Sequence, residues 1–379
     1  MNLSLVLNHR CNLRCRYCYA GEKIDRPMPL ATARKAIDLA LDHASRGYLI
    51  VSLFGGEPLL EVELAESVVA YAQDQAAHRK IRPYFSVSTN GTLLDERRLR
   101  LLTEKEFQVQ VSLDGGPEAQ DANRRFRNGR SSFAAVEASL RRLVASGLKL
   151  NVLAVVDPAN AHLLSDSLDR IAALGVREVY FAPNVLGAWD EAACARFEAG
   201  LRALGDNLIA RFREGRDLRV DPLSGKIVGH LMKGLRPATR CGFGTEEWAV
   251  SPSGDLFPCD RSVRPDGNGE LRIGHVDTGL DLARRDALLA RKAEVDPECA
   301  ACELKARCSH WCGCMQVETT GSLGRVSPVF CWSERCLVTE ADRIASTLYA
   351  EKNPAFLRRF YVPALHTPAA AERPAHDRA

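Results

Sequence analysis

The chain has 379 residues, a length that at about 150 residues per domain favours two or three domains. Hydrophobic residues make up 46 % and charged residues 26 %, which excludes a disordered polyelectrolyte and a membrane bundle, and no apolar run approaches the roughly 18 residues a spanning helix needs. Lys plus Arg (51) nearly balances Asp plus Glu (48), so a formal charge of +3 gives no ground for expecting nucleic acid or an anionic membrane as a partner.

Met1 to Asn8 has too short an apolar stretch and no basic leader, so no export signal is read there and a cytoplasmic location is expected. From there to about residue 215 short apolar runs alternate with stretches of helical periodicity. Strands are predicted at 3–7, 49–54, 84–88, 109–113, 150–156 and 179–181, and helices at 30–44, 62–76, 96–102, 132–146, 163–174 and 191–212. Parallel strands need long crossovers, so this alternation implies a parallel sheet with helices outside it. Six units in about 215 residues fall short of the eight-unit barrel, and the expected fold class is α/β with a partial (β/α)6 barrel. After Asp221 the periodicity breaks and cysteines punctuate short strands at 248–251 and 255–257. A last helix is predicted at 337–351, and 366–379 reads as a disordered tail.

Thirteen cysteines crowd into Cys11 to Cys18 and Cys241 to Cys336, with only Cys194 between. A long chain with an odd count and no export signal argues for metal or cluster ligation over disulfides. Cys11, Cys15 and Cys18 have the spacing C-x3-C-x2-C directly after the first strand. Three thiolates there can hold three irons of a [4Fe-4S] cube and leave the fourth open to a ligand; an incomplete zinc site or three independent thiols are the plainer alternatives. The stretch Cys11-Asn12-Leu13-Arg14-Cys15-Arg16-Tyr17-Cys18-Tyr19 resembles the radical S-adenosylmethionine (SAM) superfamily, with the aromatic Tyr17 just before the third cysteine.

That resemblance implies that SAM chelates the open iron and is cleaved by one electron to methionine and a 5′-deoxyadenosyl radical, which takes a hydrogen atom from the substrate. Gly55-Gly56-Glu57-Pro58 after the second strand resembles the family's motif for the SAM amino group, where Glu57 would accept from the ammonium; a turn and helix start is its plain reading. Ser112, ending the fourth strand, resembles the polar SAM contact. Arg124 is a weaker candidate for the SAM carboxylate, the alternative being a solvated arginine among Arg125, Arg127 and Arg130. Asn90 and Asn151, at strand ends, either face the same cavity or cap turns.

The second cysteine set runs Cys241, Gly254, Cys259, then Cys299, Cys302, Cys308, Cys312, then Cys331, and resembles the SPASM domain of radical SAM peptide and protein modifiers; one or two zinc ribbons are the alternative. By that correspondence Cys299, Cys302, Cys308 and Cys331 hold one auxiliary [4Fe-4S] cluster, and Cys241, Cys259 and Cys312 give three ligands to another, for three clusters in all. Fully ligated members carry a further cysteine a few residues before the one matching Cys241, and this chain does not. Cys314, Cys336, Cys194, the substrate or water are left as the fourth ligand. Asp260 stands where sulfatase maturases of this group carry an aspartate proposed as the base; an exposed turn residue is the alternative.

The expected organisation is 1–215 radical SAM partial barrel, 216–238 linker, 239–336 SPASM domain, 337–365 helical segment and 366–379 tail. The expected function is oxidation of a ribosomally made peptide, forming a crosslink. The alternative is an anaerobic sulfatase maturase making formylglycine, favoured by Asp260 and disfavoured by Phe54 before the glycines and by the missing cysteine; a non-catalytic iron–sulfur or zinc scaffold is more distant. Expected partners are a precursor peptide or protein, a flavodoxin- or ferredoxin-type electron donor and, since the first strand starts near Leu3, a separate peptide-recognition protein unless the barrel mouth or SPASM surface serves.

Overall fold

The computed structural model describes residues 1–234, 241–265 and 269–361. The expected tail, residues 362–365 of the expected helical segment and residues 235–238 of the expected linker lie outside them. Strand β1 (Asn2–Asn8) is buried along six of its seven residues because it has a neighbour on each side and layers above and below, which is why it reads as a continuous apolar run. Beside it β3 (Tyr48–Gly55) pairs in parallel, Leu3 opposite Val51, after a short β2 (Leu13–Cys15) that lies outside this sheet. The parallel order continues through β4 (Arg82–Thr89) and β5 (Gln108–Ser112); β6 (Arg124–Phe126) leaves the sheet to pair with β2, and β7 (Leu150–Val156) and β8 (Glu178–Pro183) complete six parallel strands. These six, with helices on the outer face, are the expected partial barrel. The helix Leu30–Asp42 shows how the outer layer is made: Ala33, Ala36, Ile37, Ala40 and Leu41 are buried, a stripe at three- and four-residue spacing whose small side chains let the helix sit close to the sheet.

Two extensions lie at the sheet edges; the one beyond β8 was not predicted, whereas the other contains the short strands expected at 248–251 and 255–257. A seventh strand, β9 (Arg219–Asp221), pairs parallel to β8; it is three residues long and stops at Pro222, too short to give a periodic signal. At the other edge β10 (Glu247–Val250) pairs parallel to β1, with Trp248 opposite Leu3, and antiparallel β11 (Asp255–Phe257), β12 (Gly274–His275) and β13 (Gly279–Leu280) follow. The cysteine-rich region therefore shares one eleven-stranded sheet with the barrel strands. Trp248 is 2 % exposed and meets His43 edge-on at 5.0 Å.

The last helix is a correction. It was expected to begin at 337, but it runs Pro328–Ala350, because Ser327 accepts the Phe330 N–H as an N-cap and Pro328 occupies the first helical position. Cys331 and Cys336 thus lie on one helix, five residues and about 140° apart. No helix among the described residues is long and apolar enough to cross a membrane.

Candidate metal centres and active site

The loop after β1 is pinned by the β2–β6 ladder, which sets Cys15 opposite Arg124. Cys11 is buried and its Sγ accepts the Leu13 N–H at 3.4 Å and the Asn90 Nδ2 at 3.7 Å. Cys18 is exposed and accepts from Lys23 Nζ at 2.9 Å. Burial, helped by the charge of Glu57, pushes the Cys11 thiol up to about 12; burial also raises Cys15, against the pull of Arg124. Burial thus favours the thiol form of Cys11 and Cys15, and three sulfurs on one loop fit an iron–sulfur cluster better than a closed zinc site.

At the end of β3 the glycines answer to the chain itself. A Cβ on Gly55, at φ +137°, would collide with the Asn8 carbonyl, and one on Gly56 with the His9 and Arg10 carbonyls; instead Gly56 N donates to Asn8 O at 2.9 Å and Glu57 N to Arg10 O at 3.0 Å. The motif is what lets the cysteine loop lie flat on the neighbouring strand end. Glu57 is 0 % exposed: Oε1 accepts from Leu59 N (3.0 Å) and Thr89 Oγ1 (2.8 Å), and Oε2 from Asn90 N (2.7 Å). Burial raises its pKa in spite of these three donors. A carboxylate has about four acceptor positions, so one remains for the expected ammonium.

Asp114, after β5, is a residue the motif reading passed over. It is 2 % exposed and takes the Tyr17 hydroxyl on Oδ2 (2.5 Å) and Arg124 Nε and Val155 N on Oδ1 (both 2.9 Å). The signal was in the sequence, an acidic residue at a strand end before Gly115, but its partners come from three other segments. Arg124 is correspondingly no solvated arginine: it is 6 % exposed and its guanidinium carbon lies 5.0 Å from the Tyr17 ring centre. Ser112, the last residue of β5, is half-buried beside this group. Asn90 joins the cysteine loop through Asn12 Oδ1 at 2.8 Å, whereas Asn151 is the second residue of β7, towards the opposite end of the strand, and is not brought there.

Cys299, Cys302, Cys308 and Cys331 line one cavity of about 350 Å³, with Arg335 hydrogen-bonded to Cys331. Four sulfur donors around such a space suit a four-iron cluster. Glu334, which accepts from Lys226 Nζ and Ser309 N (both 2.6 Å), adds to burial in raising Cys308.

The other set gathers on β10, β11 and the helix Gly313–Thr320. Cys241 Sγ donates to Glu247 Oε2 at 3.8 Å, and Cys259 Sγ lies 3.5 Å from Asp260 Oδ1. Glu247, Cys259 and Asp260 offer ligand atoms within 4.8 Å of one another. Cys314, 4 % exposed, donates its S–H to Cys259 and Cys312, which lowers the Cys312 thiol. Cys336 is elsewhere: it faces the helix Glu191–Arg213 and donates to Glu198 Oε1 at 3.8 Å, on the same helix as Cys194.

The two ends of the chemistry meet at Tyr19. Its ring lies 4.0 Å from the Arg261 guanidinium carbon, and burial, with the charges of Asp260, Cys259 and Cys18, holds its hydroxyl well above the usual tyrosine range. Arg261 and Arg264 both bind Glu318, Arg261 Nε at 3.1 Å and Arg264 Nη2 at 2.9 Å, and Arg264 also donates to the Tyr19 carbonyl. Cys18 and Asp260 thus both act on one aromatic ring, although 241 residues separate Tyr19 from Asp260 in sequence.

Residues 5–171 match the family model for the radical SAM superfamily. An uncharacterised protein of Methanocaldococcus jannaschii is 31 % identical over 180 residues; the matched region spans 48 % of this chain and 61 % of that protein, less than two thirds of its length. A serine-type anaerobic sulfatase-maturating enzyme of Klebsiella aerogenes is 26 % identical over 329 residues (80 % of this chain, 76 % of the relative), and a PqqA peptide cyclase of Methylocella silvestris 26 % identical over 343 (87 % of each). In fold, the chain is similar to native anSMEcpe with bound AdoMet (TM-score 0.79, 21 % identity, 92 % of this chain and 99 % of that one) and to Streptococcus suis SuiB bound to precursor peptide SuiA (TM-score 0.60, 15 % identity, 86 % and 75 %).

Proposed function

We propose that the chain, whose residues 5–171 match the radical SAM superfamily model, is an enzyme that takes a hydrogen atom from a peptide substrate and completes a two-electron oxidation of it, closing a crosslink. The observation that supports this most is the adjacency at Tyr19, where the Cys11–Cys15–Cys18 loop adjoins a carboxylate, Asp260, and a second set of thiols. Clusters and SAM held by these residues would supply one-electron redox chemistry, for cleaving SAM and for taking up the electron left on the substrate. The residues' own tasks follow. Cys11, Cys15 and Cys18 fix the first centre; Asp114 locks Tyr17 and Arg124 beside it; Asp260 accepts the proton released as the substrate radical is oxidised, which needs hydrogen-bond reach before any special pKa. Cys299, Cys302, Cys308 and Cys331 hold one auxiliary cluster, and Cys241, Cys259 and Cys312 belong to another, giving three [4Fe-4S] clusters.

Formylglycine formation in a sulfatase is the second reading, favoured by Asp260 and by the maturase relatives. The two products differ in chemistry. A crosslink removes two hydrogens and leaves no aldehyde, whereas formylglycine reacts with a hydrazine probe. Anaerobic incubation with SAM, reductant and either a peptide encoded by a neighbouring short reading frame or a sulfatase-derived peptide, followed by hydrazine trapping, separates them. A product that loses two hydrogens and resists the probe supports crosslinking; a trapped aldehyde overturns it in favour of formylglycine.

A further inference from the structure

We propose that Cys314 is the fourth thiolate of the centre formed by Cys241, Cys259 and Cys312, standing in for the cysteine that is missing upstream of Cys241; this rests on the reading that the set holds an iron–sulfur cluster. Three observations converge. Cys314 is 4 % exposed and in hydrogen-bond contact with the side chains of both Cys259 and Cys312, so it sits among the ligands rather than beside them. It occupies the first turn of the helix Gly313–Thr320, of which Cys312 is the N-cap, where the free backbone N–H groups favour a thiolate. Gly313 between them lets the turn fold inward, since a Cβ there would press on Leu323, Lys292 and Phe243 at 3.0 to 3.2 Å. The other unassigned thiols, Cys194 and Cys336, are at Glu198 instead.

The physical case is one of proximity: a buried sulfur in hydrogen-bond contact with two ligand sulfurs is within reach of the iron that three thiolates leave incomplete. On ligation the Cys314 S–H bond breaks, an S–Fe bond forms and the proton leaves to solvent, with no change of oxidation state. Glu247 is the competitor, with its Oε2 3.8 Å from Cys241 Sγ. A soft thiolate suits iron in a sulfide cluster better than a carboxylate does. A consequence is that this centre has no open iron to anchor a substrate thiol, so Asp260 acts on a substrate held by other contacts.

The test uses the full chain with Cys11, Cys15 and Cys18 replaced by alanine, so that only the auxiliary sets carry iron, reconstituted anaerobically and read by iron and sulfide content and by EPR. The background binds roughly 8 irons. Adding Cys314→Ala should lower this by about one to four and bring a three-iron EPR signal on mild oxidation, while Cys314→Ser should keep the iron and shift the reduced signal. Cys194→Ala should change neither, and unchanged apo-protein melting separates loss of a ligand from loss of fold. Wild-type iron and EPR in both Cys314 variants would overturn the proposal, as would loss of the cluster in Glu247→Gln with Cys314→Ala intact. A background that binds only roughly 4 irons refutes instead the underlying reading of a second auxiliary cluster, and the ligand assignment with it.

Discussion

Glu57 and Asp114 are carboxylates with almost no contact with solvent, and each binds segments that meet only in the folded chain. Replacing Glu57 by Gln turns an amide NH2 towards donors that previously met an oxygen, so we expect a loss of about 1–3 kcal/mol in stability, read from denaturant unfolding of the apo-protein. An unchanged midpoint would mean that the three hydrogen bonds carry no net weight. Asp260 has the opposite profile, since its expected task is chemical. Asp260→Asn should still produce 5′-deoxyadenosine while modified peptide falls by at least roughly 10²-fold, the scale of a lost general base; full product yield would make it an ordinary turn residue. The cysteine spacing and the Gly-Gly-Glu motif were readable because their parts are neighbours in the chain. What Glu57 touches was not readable, because Thr89 and Asn90 come from the next strand, and the Tyr19–Arg261 contact spans the two cysteine regions.

At the scale of elements, the alternation of apolar runs and amphipathic stretches located all six barrel strands, since each is long enough to show its period and sits under a helix that shows its own. β9 escaped because a three-residue strand has no period to read, and its pairing with β8, like that of the expected strand β10 with β1, is decided by the sheet edge it fills. The early start of the helix Pro328–Ala350 was in principle visible as Ser327 followed by Pro328, a cap and first-turn pair that periodicity alone misses. Ser327→Ala should therefore cost about 1 kcal/mol and, by fraying the turn that carries Cys331, loosen the set of Cys299, Cys302, Cys308 and Cys331 proposed to hold a cluster; we expect a lower thermal midpoint together with faster release of iron to a chelator. An unchanged release rate would show that Cys331 is held by the cluster rather than by the helix start.

For the molecule as a whole, the cysteine-rich strands complete the sheet at the β1 edge, so the loop after β1 and the segment after β11 are held in fixed relation by the β1–β10 and β10–β11 ladders rather than by a hinge. The Arg261–Glu318–Arg264 group closes the same relation from the side-chain layer. This arrangement holds the Cys11–Cys18 loop in fixed relation to Asp260, and it is what the proposed oxidation, rather than scaffolding, draws on. The most direct measurement is anaerobic incubation of the reconstituted chain with SAM, dithionite and a deuterated substrate peptide, next to the variant with Cys11, Cys15 and Cys18 all replaced by alanine. The intact chain should form 5′-deoxyadenosine that carries deuterium from the peptide, and the variant should form none. Equal rates of 5′-deoxyadenosine formation from the two, or no formation from the intact chain, would contradict the assignment.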